Sequence, residues 1–232
     1  MNKNILITGT NRGLGLGFCK HYLEQGHQVF ALSRSPSAEL KSLSADFPKT
    51  LHLVVIDILS PTSVQSAFEQ VRQKTDKLDI LINNAGRYGN NGTLAENIDS
   101  EDLLLTYQTN VIGPLLVTKA FLPLVETGSD KKVIHISTLM ASIADNTSSG
   151  SYGYRMSKAA LNMLNKNLSI DIKEKGILSV ALHPGWVQTD MGGPNAPLTV
   201  DTSIEGMTKV IGSVQMKDTG TFLDYRGKSL AY

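Results

Sequence analysis

Cysteine is almost missing from this chain. Cys19 is the only one in 232 residues, which rules out an internal disulfide. It falls in a predicted helix between Phe18 and Lys20 and reads as a buried, reduced thiol rather than a nucleophile, as expected in a reducing compartment. Net charge is almost missing too. Lys and Arg number 22 against 21 Asp and Glu, a formal charge of +1, so neither nucleic acid nor an anionic membrane surface is an expected partner. No run approaches the ~20 apolar residues of a membrane span. Met1-Asn2-Lys3-Asn4 leads straight into a strand and leaves no room for a signal peptide. The five histidines show no metal-ligand spacing, so no metal is expected. These absences together give a cytosolic protein as the expectation.

What is present is an ordinary globular composition, 41% hydrophobic and 19% charged, in a length that suits one α/β domain. Short apolar runs at 4–8, 28–32, 51–56, 78–83, 132–137, 178–182 and 221–223 read as strands. Helices are predicted between them: 14–25, stopped by Gly26; one opened by Ser35-Pro36; one from Ser60-Pro61 to about 76; about 99–126 with a bend at Gly113-Pro114; 152–175, ended by Gly176; and 201–214. The strands are continuous apolar runs, as they are when both faces are covered. The expected fold is α/β: a doubly wound parallel sheet of the Rossmann type, about seven strands with helices on both faces, in a single domain over 1–232. No repeat, low-complexity tract or linker interrupts it. Ligands of such sheets bind beyond the carboxyl ends of the strands, so chemistry-bearing residues should follow strands directly.

They do. Thr8-Gly9-Thr10-Asn11-Arg12-Gly13-Leu14-Gly15 follows the first strand and opens the first helix. Its glycines permit a tight turn and close approach of backbone N–H groups to a pyrophosphate, with the helix N-terminus adding a favourable field. The spacing, Gly-x3-Gly-x-Gly, differs from the common Gly-x-Gly-x-x-Gly fingerprint. Gly9, Asn11, Arg12, Gly13, Leu14 and Gly15 are therefore candidate cofactor-binding residues. The second strand ends in Ser33-Arg34-Ser35, with no acid to hold a free ribose hydroxyl. Arg34, helped by Arg12, suits a 2′-phosphate and so NADP(H) rather than NAD(H). Further along, Tyr154 and Lys158 lie four positions apart on one face of the long helix. An ammonium beside a phenol favours the phenolate, so Lys158 is expected to lower the Tyr154 pKa and make it a usable acid or base near neutral pH. Tyr152 has no lysine four positions on.

These motifs resemble, in order and over essentially the whole chain, the short-chain dehydrogenases/reductases in their compact form. The resemblance rests on the glycine loop, Asn83-Asn84-Ala85-Gly86, Asn110, Ser137-Thr138, Tyr154-x3-Lys158 and Pro184-Gly185-x3-Thr189. Tyr152 to Asn162, His183-Pro-Gly-Trp-Val-Gln-Thr-Asp-Met, Gly193-Pro-Asn-Ala-Pro-Leu-Thr and the ending Phe222-Leu-Asp-Tyr are similar to the C-factor/sniffer branch, which has carbonyl-reductase-like members and members noticed through signalling effects.

The resemblance implies hydride transfer between NADPH and an aldehyde, ketone or quinone. Tyr154 would be the general acid. Lys158 would keep it acidic and bond the nicotinamide ribose, and Asn110 would serve a water relay. A hydroxyl after the fifth strand would hold the carbonyl oxygen. Most members have serine at that position. Register puts Thr138 there, with Ser137 one residue earlier on the opposite face. Asp57 and Ile58 would bracket the adenine, Asn84, Ala85 and Gly86 would pass the ribose, and Pro184, Gly185, Val187 and Thr189 would meet the nicotinamide end. Asp57 also reads as a turn or helix-capping aspartate, and Asn83-Asn84 as a turn. His135 and His183 read as structural. Trp186 is a candidate for the substrate pocket, ahead of Met140, Met191 and Tyr88. The glycine- and proline-rich stretch at about 191–202 reads as a substrate lid. A homodimer or homotetramer through the two long helices is implied. Two rivals stand beside the reductase: a nucleotide-binding signalling protein in which turnover is secondary, and a sugar-nucleotide epimerase, which needs more chain than the roughly 40 residues after Thr189.

Overall fold

A computed structural model describes residues 2–90, 92–94 and 98–232. Seven strands, β1 Asn4–Thr8, β2 Gln28–Ser33, β3 Leu51–Val55, β4 Ile80–Asn83, β5 Lys132–Ile136, β6 Leu178–His183 and β7 Phe222–Asp224, form one sheet in the order β3-β2-β1-β4-β5-β6-β7. Every pairing is parallel. Among the described residues the α-helices are α1 Gly13–Glu24, α2 Ala38–Asp46, α3 Pro61–Arg72, α4 Ser100–Tyr107, α5 Gly113–Glu126, α6 Tyr152–Asp171 and α7 Val200–Ser213.

Alternation of side chains along the strands builds two cores. Ile5, Ile7, Val29, Ile82, Ile134 and Val180 face α1 and α7, where Phe18, Cys19, Met207 and Ile211 cover them. Leu6, Phe30, Val54, Leu81 and Val133 face α3, α5 and α6, where Val64, Val117, Phe121 and Leu168 cover them. This is why the strands read as unbroken apolar runs. Cys19 is a free, fully buried thiol whose pKa burial pushes up, which removes it from nucleophilic chemistry. Among the described residues no helix is long and apolar enough to cross a membrane, and no cluster of three His, Cys, Asp or Glu could hold a metal ion.

Several element ends differ from the sequence reading, each for a tertiary reason. Pro36 lies outside α2. Ser37 caps that helix through Leu40 N–H at 3.1 Å, because Asn11 already holds Ser35 O (2.7 Å) and Ser37 N–H (3.0 Å). The helix expected to run to about 76 stops at Arg72, and Thr75 instead bonds Lys77 O and Asn4. The 99–126 stretch carries a π-helical segment, Gln108–Ile112, directly before Gly113-Pro114, and Asn110 lies in it. Gly113 serves a packing need, since a Cβ there would lie 2.6 Å from Ile58 Cδ1. The long helix ends at Asp171 and winds down through a tighter turn, Lys173–Lys175, to Gly176 at φ 69°.

The chain winds outward in opposite directions from β1 and β4, so the crevice opens above their carboxyl ends. Thr8, Asn83 and the residues after β5 and β6 all end there.

Candidate active site

The glycine loop is held by its neighbours. Asn84 Nδ2 donates to Thr8 O (2.9 Å) and Gly9 O (3.1 Å), and Thr8 Oγ1 accepts from the Asn84 and Ala85 N–H groups. Gly9 sits at φ 72°, and a Cβ there would lie 2.8 Å from Ala85 Cα. At Gly15 a Cβ would come within 2.1 Å of Gly9 O. Only hydrogen fits at either position. Arg12, the residue that caps α1, is extended and contributes no side-chain cap, which leaves that helix N-terminus to a ligand. This cradle fits the pyrophosphate of a dinucleotide.

Both side-chain polar atoms of Asn11 hold the β2–α2 connection, tying the glycine loop to the segment that carries Arg34. Arg34 is exposed and makes no ion pair among the described residues, beside a buried Ser33 hydroxyl with no partner. Arg12 pairs with Asp190 at 3.2 Å, both side chains largely exposed. Asp57 bonds its own turn, Oδ1 accepting from Leu59 N–H at 3.0 Å, while its N–H donates to Ser63 Oγ.

Across the crevice, α6 brings Tyr154 and Lys158 to the ends of β4 and β5. Lys158 Nζ donates to Ile136 O at 2.8 Å and lies 5.9 Å from the centre of the Tyr154 ring. Gly86 passes them closely: a Cβ there would be 3.5 Å from Lys158 Nζ and 3.4 Å from Asn110 Oδ1. The two hydroxyls after β5 separate as strand geometry requires. Thr138 lies beside the Tyr154 phenol and favours its ionised form, while its Oγ1 accepts from Met140 N–H at 3.3 Å. Ser137 turns inward and donates to buried Asn162 Oδ1 at 2.7 Å. Asn110, fully buried, bonds the Arg87 backbone at both amide atoms (2.8 Å each) and donates to Ser157 Oγ at 2.9 Å. Ser157 in turn donates to Tyr154 O.

The electrostatics correct one expectation. Burial pushes the Tyr154 pKa up, Tyr88 adds to this, and the Thr138 bond only partly opposes it. Burial also lowers Lys158 to about 8. Desolvation thus outweighs the attraction between ammonium and phenolate that the four-residue spacing suggested. His135, fully buried, is driven down to about 3 by burial and then by Lys158, so it is a neutral core residue near Asn83 Nδ2 (3.4 Å). His183, lowered to about 4 by burial, is likewise neutral.

Tyr88 and Ser157 are functional candidates that the sequence left weak or unmarked. The Tyr88 ring lies 4.5 Å from that of Tyr154, and its hydroxyl bonds Ser151 Oγ at 3.1 Å. Ser151 holds φ 52°, rare for a residue with a side chain, at the entry to α6. No local pattern announces these contacts. Beyond β6, Pro184 O accepts from Ser203 Oγ and Gly185 sits at φ 84° under Leu198. Val187 is buried and bridges Leu198, and Thr189 Oγ1 accepts from Gly192 N–H. Trp186 is exposed, with its indole N–H donating to Gly192 O at 2.7 Å. The 191–202 stretch is bonded to residues 186–189 just before it, and its last residues, from Val200, form the first turn of α7.

A doubly wound sheet with this constellation defines a class, the dinucleotide-type oxidoreductases. The short chain dehydrogenase family model matches residues 3–197, and the chain belongs to that family. It is 45% identical to the C-signal of Myxococcus xanthus over 158 residues, 68% of this chain and 95% of that protein. Among solved structures, the carbonyl reductase Sniffer of D. melanogaster superposes with a TM-score of 0.95 at 36% identity, covering 100% of both chains. The NADPH-bound carbonyl reductase from chicken fatty liver does so at 0.92 and 38% identity, covering 100% of this chain and 99% of that one.

Proposed function

We propose that this chain reduces a carbonyl compound to an alcohol with NADPH, using Tyr154 as the general acid. The observation that carries the reading is the meeting of Tyr154, Thr138 and Lys158 beside Gly86, across the crevice from a loop in which Gly9 and Gly15 leave no room for a side chain. Bound NADPH would supply the hydride. The glycine loop, with Leu14 at the start of α1, would hold its pyrophosphate. Arg34 and Arg12 would hold the 2′-phosphate, Asp57 and Ile58 the adenine, and Asn84 to Gly86 the ribose. Pro184, Gly185, Val187 and Thr189 would hold the nicotinamide end.

Thr138 donates to the substrate carbonyl oxygen, and Tyr154 gives that oxygen its proton as charge develops. A buried phenol with a raised pKa stays protonated at neutral pH, which is the state a reduction needs. Lys158 lies close enough to favour the phenolate once the proton has left. Asn110 is given a part in a water relay by the family resemblance. Its bonds to Arg87 and Ser157 support a bracing role as well. Buried Cys19 supports a cytosolic setting, and exposed Leu104, Leu105, Met156 and Met163 on α4 and α6 support a homodimer or homotetramer.

The test is substrate-dependent NADPH oxidation with aldehydes, ketones and quinones. Tyr154→Phe is expected to lose about 10²–10⁴-fold in kcat while keeping NADPH affinity. No oxidation across a broad panel sinks the reading. Arg34→Ala is expected to weaken NADPH but not NADH. The likeness to C-signal favours a second reading, a nucleotide-binding signalling protein. It predicts that Tyr154→Phe keeps full biological activity.

A further inference from the structure

Residues 225–232 fold back against the sheet. After β7 the backbone turns at Gly227, φ 85°, and runs back antiparallel beside that strand, with Leu230 N–H donating to Phe222 O at 2.8 Å and Leu223 bridging Ser229. This covers a sheet edge that would otherwise stay unpaired. Tyr232 then docks on the body of the protein. Its ring stacks on Phe222 at 6.1 Å, its hydroxyl donates to Gly220 O at 2.5 Å, and that hydroxyl accepts from Asn165 Nδ2 at 3.3 Å. Asn165 is itself fully buried and held by Ser179 Oγ at 2.8 Å. The other end of Tyr232 reaches outward: its main-chain oxygen accepts from Ala144 N–H at 3.2 Å.

Ala144 lies in the segment that joins Thr138 to Tyr154. Residues 143–149 of that segment are exposed. At its far end Ser151 Oγ bonds the Tyr88 hydroxyl, while the exposed middle has local ties: Ser142 Oγ accepts from Asp145 N–H, and Arg155 donates to Ser148 Oγ (2.7 Å) and Met140 O (3.4 Å). The Tyr232 bond anchors its exposed middle to the segment that covers the β7 edge. Loops gain definition from such anchors, because the exposed alternatives are many.

We propose that Tyr232 is a positioning residue for the substrate side of the active site. It clamps the Thr138–Tyr154 segment through Ala144 and so sets how well a carbonyl substrate is held, without touching the nucleotide side. The proposal rests on the carbonyl-reductase reading for its kinetic part and on geometry alone for the clamp.

Three proteins test it: wild type, Tyr232→Ala and Tyr232→Phe. Hydrogen exchange of residues 142–150 in Tyr232→Ala is expected to speed up about fivefold or more, one lost net hydrogen bond, while β1 and β4 exchange as in wild type. KM for the carbonyl substrate rises about fivefold, with kcat and NADPH Kd within about twofold of wild type. Tyr232→Phe, which keeps the stack on Phe222, recovers most of both effects. Unchanged exchange at 142–150 overturns the clamp. Faster exchange with unchanged KM overturns the positioning role. Equal losses in KM, kcat and NADPH affinity, with exchange raised throughout the sheet, mean general damage and also overturn it. If wild type turns over no carbonyl, the reductase reading fails and the exchange data alone decide the clamp.

Discussion

Lys158 should destabilise the fold it serves. Its side chain is buried, and burial lowers its pKa from 10.5 to about 8. A lysine that binds its proton more weakly folded than unfolded makes folding less favourable wherever the unfolded chain is protonated. The drop from 10.5 to about 8 corresponds to a penalty of roughly 3 kcal/mol at pH 7. Because the folded pKa is the lower one, the penalty shrinks as pH rises through the window from about 8 to 10.5. By pH 9.5 it should be about 1 kcal/mol. Lys158→Met removes the charge but leaves Ile136 O without its 2.8 Å partner, a loss of about 1–2 kcal/mol. The variant, inactive by the proposed mechanism, should therefore be about 1–2 kcal/mol more stable than wild type at pH 7. That advantage should vanish or reverse near pH 9.5. Urea unfolding of both nucleotide-free proteins at the two pH values measures it. A variant less stable at both, by the same amount, refutes the argument, since it would mean Lys158 titrates alike in the folded and unfolded chains.

Two further outcomes follow from the site. Thr138→Ala should lose about a hundredfold in kcat, whereas Ser137→Ala should keep activity and lose about 1 kcal/mol of stability with its bond to Asn162; steady-state kinetics and urea melts of the pair compare the two hydroxyls directly. Gly15→Ala drives a Cβ to within 2.1 Å of Gly9 O, so thermal unfolding should show a loss of about 1–3 kcal/mol and titration should show weakened NADPH binding.

Much of the molecule was legible in the order of its residues. Strand and helix alternate because apolar runs and cap signals are local, and a parallel sheet must return each strand through a helix. The glycine loop, Asn84, Tyr154 and Lys158 fall after strands or on one helix face by spacing alone, so the sequence placed them in one crevice. Contacts between distant segments were not legible. Nothing local showed that Asn11 braces the β2–α2 connection through three bonds to Ser35 and Ser37. Helix 99–126 showed a proline bend, while the π-helical turn around Asn110 depends on its bonds to Arg87 and Ser157. Residues 228–232 carried no strand pattern, and they are placed by the open edge of β7 and by the docking of Tyr232. The sign of the Tyr154 shift followed the same rule. Spacing put an ammonium near the phenol, but burial decides the balance, and burial is a property of everything packed around both groups. Sequence by itself determined which elements form and which residues reach the crevice, because those depend on periodicity and short-range spacing. Tertiary structure decided which hydroxyl meets Tyr154, what braces it and how its proton is held, because those depend on solvent exclusion and partners far apart in the chain.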